Sequence, residues 1–165
     1  MKRLFTLIIG MFLLMAGTAS AQSAKWISAD HPDANKIGTW IEFQKEVVLK
    51  KNPGKVEAKI SADSKYWLWI NGDLAVFEGC VFRESVDGGY AEKVDITSYL
   101  KKGKNPLAFL VQFYGNGGRN NTDSGEAGFI FSCDALELYS DESFLVATHP
   151  GFVKTGEPYP AYLFG

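Results

Sequence analysis

The stretch "SKYWLWING", residues 64 to 72, places two tryptophans two positions apart. Side chains alternate between the two faces of a strand, so Trp67 and Trp69 are expected on the same face. Indole rings stack on the apolar faces of sugar rings, and Asn71 or Arg119 would supply directional hydrogen bonds. Two exposed tryptophans approach the largest apolar patch that a monomer usually shows. The spacing therefore predicts either a carbohydrate platform or a surface on which another domain docks.

Carboxylates are scattered along the chain but form no catalytic pattern. Hydrolysis of a glycosidic bond usually needs two carboxyl groups roughly 5 to 10 Å apart. His31 and His149 stand beside no nucleophile or metal-ligand partner in the sequence. We therefore assign no catalytic residue, and we expect the acids to be solvated charges on loops and strand ends. The acids considered are Asp63, Glu78, Glu84, Asp87 and Glu92.

The N-terminus differs from the rest of the chain. Lys2 and Arg3 precede an apolar run over residues 4 to 16, and Ala19-Ser20-Ala21 follows, which is typical of a secretory signal peptide cleaved after residue 21. Cleavage removes two bases and no acid, so the formal net charge moves from −2 to −4. This balance does not favour nucleic-acid binding. We expect an exported chain, periplasmic or extracellular, with no membrane segment after cleavage.

The chain has two cysteines, Cys80 and Cys133. A disulfide is chemically allowed in an exported protein, but disulfide frameworks belong to smaller, cysteine-dense domains. Two small buried thiols are the simpler interpretation. The pairing stays open, and neither cysteine has the spacing of a zinc site.

Short strand-like segments recur along the chain with turn signals between them. Asn71-Gly72 favours a hairpin, and one helical turn is expected near Thr97, capped by Asp95 or by Thr97 itself. This pattern predicts an all-β fold, an antiparallel β-sandwich of the jelly-roll type over residues 22–149, followed by a connector over 150–165. The segments are residues 39–49, 55–62, 66–70, 74–79, 106–114, 128–139 and 144–148.

The predicted core follows from the same alternation. If the two tryptophans lie outside, the other face of their strand must pack against apolar residues of the other strands. The predicted core residues are Tyr66, Leu68, Ile70, Phe109, Val111, Phe113, Phe129 and Phe131.

Four motifs resemble a known domain: "AKWISA" (24–29), "YWLWING" (66–72), "VDITSYLKKGKNPLAF" (94–109) and "SGEAGFIF" (124–131). Together they resemble the N-terminal galactose-binding-like β-sandwich of bacterial α-L-rhamnosidases. That family implies a multidomain, exported enzyme that releases terminal rhamnose by inverting hydrolysis, with its catalytic carboxylates in a separate helical barrel. The resemblance therefore implies a noncatalytic accessory domain. Its partners would be the downstream catalytic domain and a glycan that contains rhamnose or galactose.

The resemblance also suggests a calcium site, since galactose-binding-like sandwiches often hold a calcium ion. Asp123 and Glu126 supply hard oxygen ligands in the glycine-rich segment 115–128, although their spacing is not that of an EF-hand. We expect no other cofactor. Docking is favoured over sugar binding at Trp67 and Trp69, since the apolar end of the chain suggests a missing neighbour. A stand-alone carbohydrate-binding module is the alternative.

Overall fold

The structure, a computed structural model, describes residues 23–80, 90–115 and 126–151. The strands are β1 (Thr39–Leu49), β2 (Glu57–Asp63), β3 (Lys65–Ile70), β4 (Asp73–Gly79), β5 (Glu92–Asp95), β6 (Gly103–Phe113), β7 (Gly128–Cys133), β8 (Leu138–Tyr139) and β9 (Leu145–Thr148). They form a five-stranded sheet of order β4-β3-β6-β1-β9 and a four-stranded sheet of order β5-β2-β7-β8. All strand pairs are antiparallel, which confirms the predicted all-β sandwich.

Several predictions concern parts of the chain that lie outside the described residues. These are the signal peptide, Arg119, Asp123 and nearly all of the connector. Within the described ranges, no helix has the length and apolar character needed to cross a bilayer.

Most strand positions agree with the sequence prediction, and two differ. The segment 128–139, predicted as one strand, is divided into β7 and β8 by a 3₁₀ turn at Asp134–Leu136. Glu137 ends that turn with a φ of 49°, in the left-handed region that a strand does not use. The short strand β5 was not predicted as an element of its own, because four residues carry too little alternation to be recognised.

The predicted helical turn is present as a 3₁₀ turn at Thr97–Tyr99. The Asp95 carboxylate accepts a hydrogen bond of 3.0 Å from the backbone N–H of Thr97 and one of 2.6 Å from its hydroxyl. These bonds lower the pKa of Asp95. Ile96 is the N-cap residue of the turn and makes no side-chain capping bond, so the prediction of Asp95 or Thr97 as the cap is wrong. Asp95 instead bonds to the residue two positions on, as in an Asx turn.

Phenylalanine rings join the two sheets, and the whole predicted core is buried. The ring of Phe109 in β6 lies 4.8 Å from that of Phe129 and 5.5 Å from that of Phe131, both in β7. Phe43 in β1 lies 4.4 Å from Phe129. Each such side chain stabilises the fold by about 1.5 to 3 kcal/mol when it leaves water. The core therefore fixes which face of every strand points inward.

Both cysteines are buried free thiols, so the disulfide alternative is not adopted. Burial raises the pKa of Cys80 and of Cys133, which keeps both as neutral thiols. The Cys80 sulfur lies 3.9 Å from the hydroxyl oxygen of Ser61, inside the core.

A tyrosine hydroxyl connects the two sheets at the end of β4. The buried Tyr66 donates a hydrogen bond of 2.8 Å from its hydroxyl to the carboxylate of Glu92 in β5. Burial and this carboxylate together raise the pKa of Tyr66. A Cβ atom at Gly79 would stand 2.6 Å from the Tyr66 ring and 2.7 Å from the Glu92 carboxylate. Only glycine leaves room for the pair.

We therefore predict that Gly79→Ala lowers the free energy of unfolding by about 2 kcal/mol, because the added methyl group must displace the Tyr66 ring. Urea denaturation measures the change. Gly54→Ala is the control, since its Cβ would meet no atom within 4 Å. Equal effects of the two substitutions would show that Gly79 is not held by Tyr66.

Candidate docking surface

The outer face of the five-stranded sheet carries both tryptophans of the opening motif. Tyr66, Leu68 and Ile70 of β3 are buried in the core, so Trp67 and Trp69 lie on the opposite face, as predicted. Both indoles are half-buried rather than fully exposed. Neighbouring side chains on the same face must therefore cover part of each ring.

Trp40 covers part of Trp67. Gln112 of β6 pairs with Trp40 of β1, and Leu110 of β6 pairs with Trp67 of β3, so the two indoles flank the same strand. Their ring centroids are 5.3 Å apart with an interplanar angle of 25°, a stacked arrangement. One face of the Trp67 ring is therefore covered by Trp40 and is not open to a ligand. Trp40 was not predicted from the sequence, although its position next to the buried Ile41 places it on this face.

The apolar surface continues onto the edge strand β4. Trp69 pairs directly with Leu74, so the two side chains share the outer face. Val76 pairs with the inward-facing Leu68, and the pairing of β3 with β4 is irregular on either side of Leu68. Phe77 follows Val76, and its exposure places it on the outer face. The Phe77 side chain is 70% exposed and that of Leu74 is 43% exposed. We name the outer aromatic patch for its five residues, which are Trp40, Trp67, Trp69, Leu74 and Phe77.

Charged and polar side chains border the outer aromatic patch. The Lys65 ammonium lies 3.4 Å from the Glu78 carboxylate and 5.9 Å from the centre of the Tyr114 ring. Burial opposes the charge on Lys65, but Tyr114 and Glu78 outweigh it and raise the pKa of the lysine. On the other side, His149 lies 3.0 Å from the Glu42 carboxylate. An apolar centre with a polar border is the usual composition of a protein interface.

Asn71 has a structural role that the sequence did not reveal. Its side-chain N–H groups donate to the backbone oxygen of Tyr99 at 2.7 Å and to the side-chain oxygen of Asn105 at 2.8 Å. Asn71 and Gly72 form the predicted hairpin with φ values of 56° and 89°. Both amide hydrogens of Asn71 are therefore committed to holding the hairpin against the start of β6.

Several acids have structural partners instead of being solvated charges. Asp63 is fully buried and accepts a hydrogen bond of 2.7 Å from the Ser64 hydroxyl. Glu78 pairs with Lys65, and Glu92 accepts from Tyr66, whereas Glu84 and Asp87 lie outside the described residues.

The calcium hypothesis finds no support among the described residues. Glu126 is exposed, and its proposed companion Asp123 lies outside the described part of the chain. Across residues 23–80, 90–115 and 126–151, no three His, Cys, Asp or Glu side chains are placed to hold a metal ion together.

Comparison with solved structures shows where this fold occurs. The chain is similar to the GH78 family rhamnosidase of Bacillus sp. GL1, with a TM-score of 0.65, 23% identity and 77% of this chain covered. It is similar to the α-L-rhamnosidase of Aspergillus terreus, with a TM-score of 0.62, 22% identity and 79% covered. It is also similar to the Streptomyces avermitilis α-L-rhamnosidase complexed with L-rhamnose, with a TM-score of 0.54, 17% identity and 81% of this chain covered.

The match covers only a small part of each of those proteins. It spans 13% of the Bacillus chain, 17% of the Aspergillus chain and 14% of the Streptomyces chain. No protein-family model matches this chain, and no curated protein matches it. The described residues therefore have the fold of one β-sandwich domain of α-L-rhamnosidases.

Some residues of the outer aromatic patch should stabilise the fold, and others should leave its stability nearly unchanged because they are exposed to solvent. We predict that Trp67→Ala lowers the free energy of unfolding by about 2 kcal/mol, since it removes a half-buried ring and its stacking on Trp40. Phe77→Ala should change it by less than about 0.5 kcal/mol, because the ring is mostly in water. Thermal and urea unfolding measure both. A larger loss for Phe77→Ala than for Trp67→Ala would contradict this division.

Proposed function

We propose that this chain is a noncatalytic N-terminal accessory domain of an exported α-L-rhamnosidase-like glycoside hydrolase, and that it docks on the catalytic domain of the same polypeptide. The observation that carries the proposal is the comparison with the Bacillus rhamnosidase, in which 77% of this chain matches 13% of that one. A domain that accounts for so little of an enzyme leaves the rest of the chain to supply the catalytic site.

The outer aromatic patch supports docking as the role of this domain. Leu74 and Phe77 expose apolar surface on an edge strand, and Trp69 continues it toward the centre of the sheet. Covering roughly 200 Å² of such surface contributes about 5 kcal/mol to association before entropic costs. The polar border of Lys65, Glu78, Glu42 and His149 would then form the rim of the interface.

The same contacts make a sugar platform at Trp67 and Trp69 the less favoured use of this surface. A platform needs an open ring face and nearby donors, whereas Trp67 stacks on Trp40 and Asn71 donates both amide hydrogens within the protein. A stand-alone carbohydrate-binding module is therefore the alternative function, and it would bind glycan elsewhere on the domain.

We predict that the purified chain does not hydrolyse p-nitrophenyl α-L-rhamnopyranoside. The chain matches only 13% of the Bacillus rhamnosidase, and Asp63, Glu78 and Glu92 are bonded within the fold, so we assign no catalytic pair of carboxylates. Release of p-nitrophenol is followed by absorbance over a range of pH. Hydrolysis that survives purification to homogeneity would overturn the noncatalytic assignment.

We also predict that the chain binds the catalytic portion of its parent polypeptide when the two are expressed separately. Binding is measured by size-exclusion chromatography and calorimetry. Phe77→Ser should weaken it about tenfold, because an exposed apolar anchor is replaced by a hydroxyl.

The matched control is Leu145→Ser. Leu145 is 71% exposed on β9, at the opposite edge of the same sheet. It lies outside the outer aromatic patch, so its substitution shows the effect of removing any exposed apolar side chain. Failure of the wild-type chain to bind, or equal losses for the two variants, would contradict docking through this surface.

A further inference from the structure

A second surface, unrelated to the outer aromatic patch, opens at the β9 edge of the sandwich. It is a groove of about 730 Å³, within the range of small-molecule sites. One wall is the N-terminal segment 26–31, and the other is the segment 141–148. We call it the Trp26 groove. Neither the outer aromatic patch nor its polar border contributes a residue to it.

The N-terminal wall is held in place by backbone hydrogen bonds. Ile27 and Phe129 exchange two N–H to oxygen bonds, of 2.9 and 3.0 Å. Lys25 donates from its backbone N–H to the Ser140 oxygen at 2.8 Å, and the Ser140 hydroxyl donates to the Lys25 oxygen at 2.5 Å. The wall therefore exists before any ligand arrives.

An aromatic ring and an apolar floor give the groove its binding surface. Trp26 is 36% exposed, and Phe144, packed against Phe109 and Phe129, is buried beneath the groove. Gly128 makes this arrangement possible, because a Cβ atom there would stand 2.6 Å from the Trp26 indole nitrogen.

Three polar side chains follow Trp26 along the same wall of the groove, and two of them lack an internal partner. The hydroxyl oxygen of Ser28 is buried and has no hydrogen-bond partner among the described residues. Asp30 makes no hydrogen bond or ion pair within the same ranges. His31 accepts a hydrogen bond of 3.1 Å at Nδ1 from the backbone N–H of Asp33, so its neutral ring carries the proton at Nε2. Buried hydroxyls normally have a partner, and rotation of the Ser28 side chain toward the groove would bring its hydroxyl to a ligand hydroxyl.

The charge of the groove restricts the class of ligand. Asp30, Asp141 and Glu142 all line it, and its walls include no lysine or arginine. A backbone N–H and the nearby Lys25 lower the pKa of Glu142, which keeps it ionised. Lys25 pairs with Glu142 at 3.1 Å and Lys45 lies 5.5 Å from the centre of the Phe144 ring, so the three carboxylates exceed the nearby ammonium groups by one charge. This excess disfavours phosphates, sulfates and uronic acids. In the described part of the chain these acids do not gather into a metal site.

We propose that the Trp26 groove binds a neutral saccharide. One ring stacks its C–H face on Trp26, while its hydroxyls bond to Ser28, Asp30 and the Nε2 hydrogen of His31. Carboxylates and hydroxyls are the groups that pair with several sugar hydroxyls at once, and the indole supplies the apolar contact. This proposal goes beyond docking, because the site uses other residues and needs only this chain.

The test is a titration of the ¹⁵N-labelled chain, followed by NMR. The probes are the methyl glycosides of L-rhamnose, D-galactose, D-glucose and N-acetyl-D-glucosamine. We expect saturating shifts for at least one of them, confined to the Trp26 indole N–H and to the amides of residues 26–31 and 141–148. No saturable shift with any probe, or shifts centred on Trp67 and Trp69, would overturn the proposal.

Three substitutions identify the contacts. Trp26→Ala should weaken binding about tenfold or more, since it removes the stacking surface. Ser28→Ala and Asp30→Asn should each weaken it several-fold without loss of the folded spectrum. Glu46→Gln is the control for Asp30→Asn, because Glu46 is an exposed acid of β1 outside the groove, and it should leave the affinity unchanged. Equal affinities for Ser28→Ala, Asp30→Asn and the wild type would count against the site.

A charged probe tests the selectivity. Methyl glucuronide carries a carboxylate on the ring of methyl glucoside, so it should bind at least about tenfold more weakly in low salt. Preference for the glucuronide would overturn the neutral-saccharide assignment. Because every measurement uses the isolated chain, the result does not depend on whether docking occurs.

Discussion

The contact between Phe109 and Phe129 is the interaction on which the rest of the structure depends. It joins the central strand β6 of one sheet to β7 of the other, at a distance of 4.8 Å between ring centres. Phe43 extends the same cluster into β1, and Phe144 extends it to the floor of the Trp26 groove. Both proposed binding surfaces therefore rest on one packed group of rings, and a change in that group would move both.

Because side chains alternate along a strand, the residues that enter the core also determine which residues lie on the outer face. With Tyr66, Leu68 and Ile70 directed into the core, Trp67 and Trp69 have no other place than the outer face. What happens there depends on neighbours from other strands. Trp40 covers part of Trp67, whereas Leu74 and Phe77 on the edge strand stay exposed. The apolar surface available to a partner is therefore displaced from the tryptophans toward β4.

The two surfaces differ in chemistry, which suits them to different partners. The outer aromatic patch is apolar at its centre and has paired charges at its border, like the contact area between protein domains. The Trp26 groove is concave, negatively charged, and holds a hydroxyl without an internal partner. An accessory domain with both could hold an enzyme on one side and a glycan on the other. On the proposed assignment, the aromatic motif of the sequence serves docking and the Trp26 groove serves sugar binding.

The sequence by itself determined the features that depend on local pattern. Alternation located most strands and eight residues of the buried core, and Asn71-Gly72 identified the hairpin, because each of these signals lies within a few consecutive residues. The strand β5 and the break at Asp134–Leu136 escaped it, since both are too short to have a period.

Only the tertiary structure decided which residues meet. The stacking of Trp40 on Trp67 follows from the register of β1 and β3 on either side of β6, and the amide of Asn71 is engaged by residues about 30 positions away. The Trp26 groove combines segments 26–31 and 141–148, from opposite ends of the described chain. Contacts of this kind are set by strand order and register, which no local pattern of residues encodes.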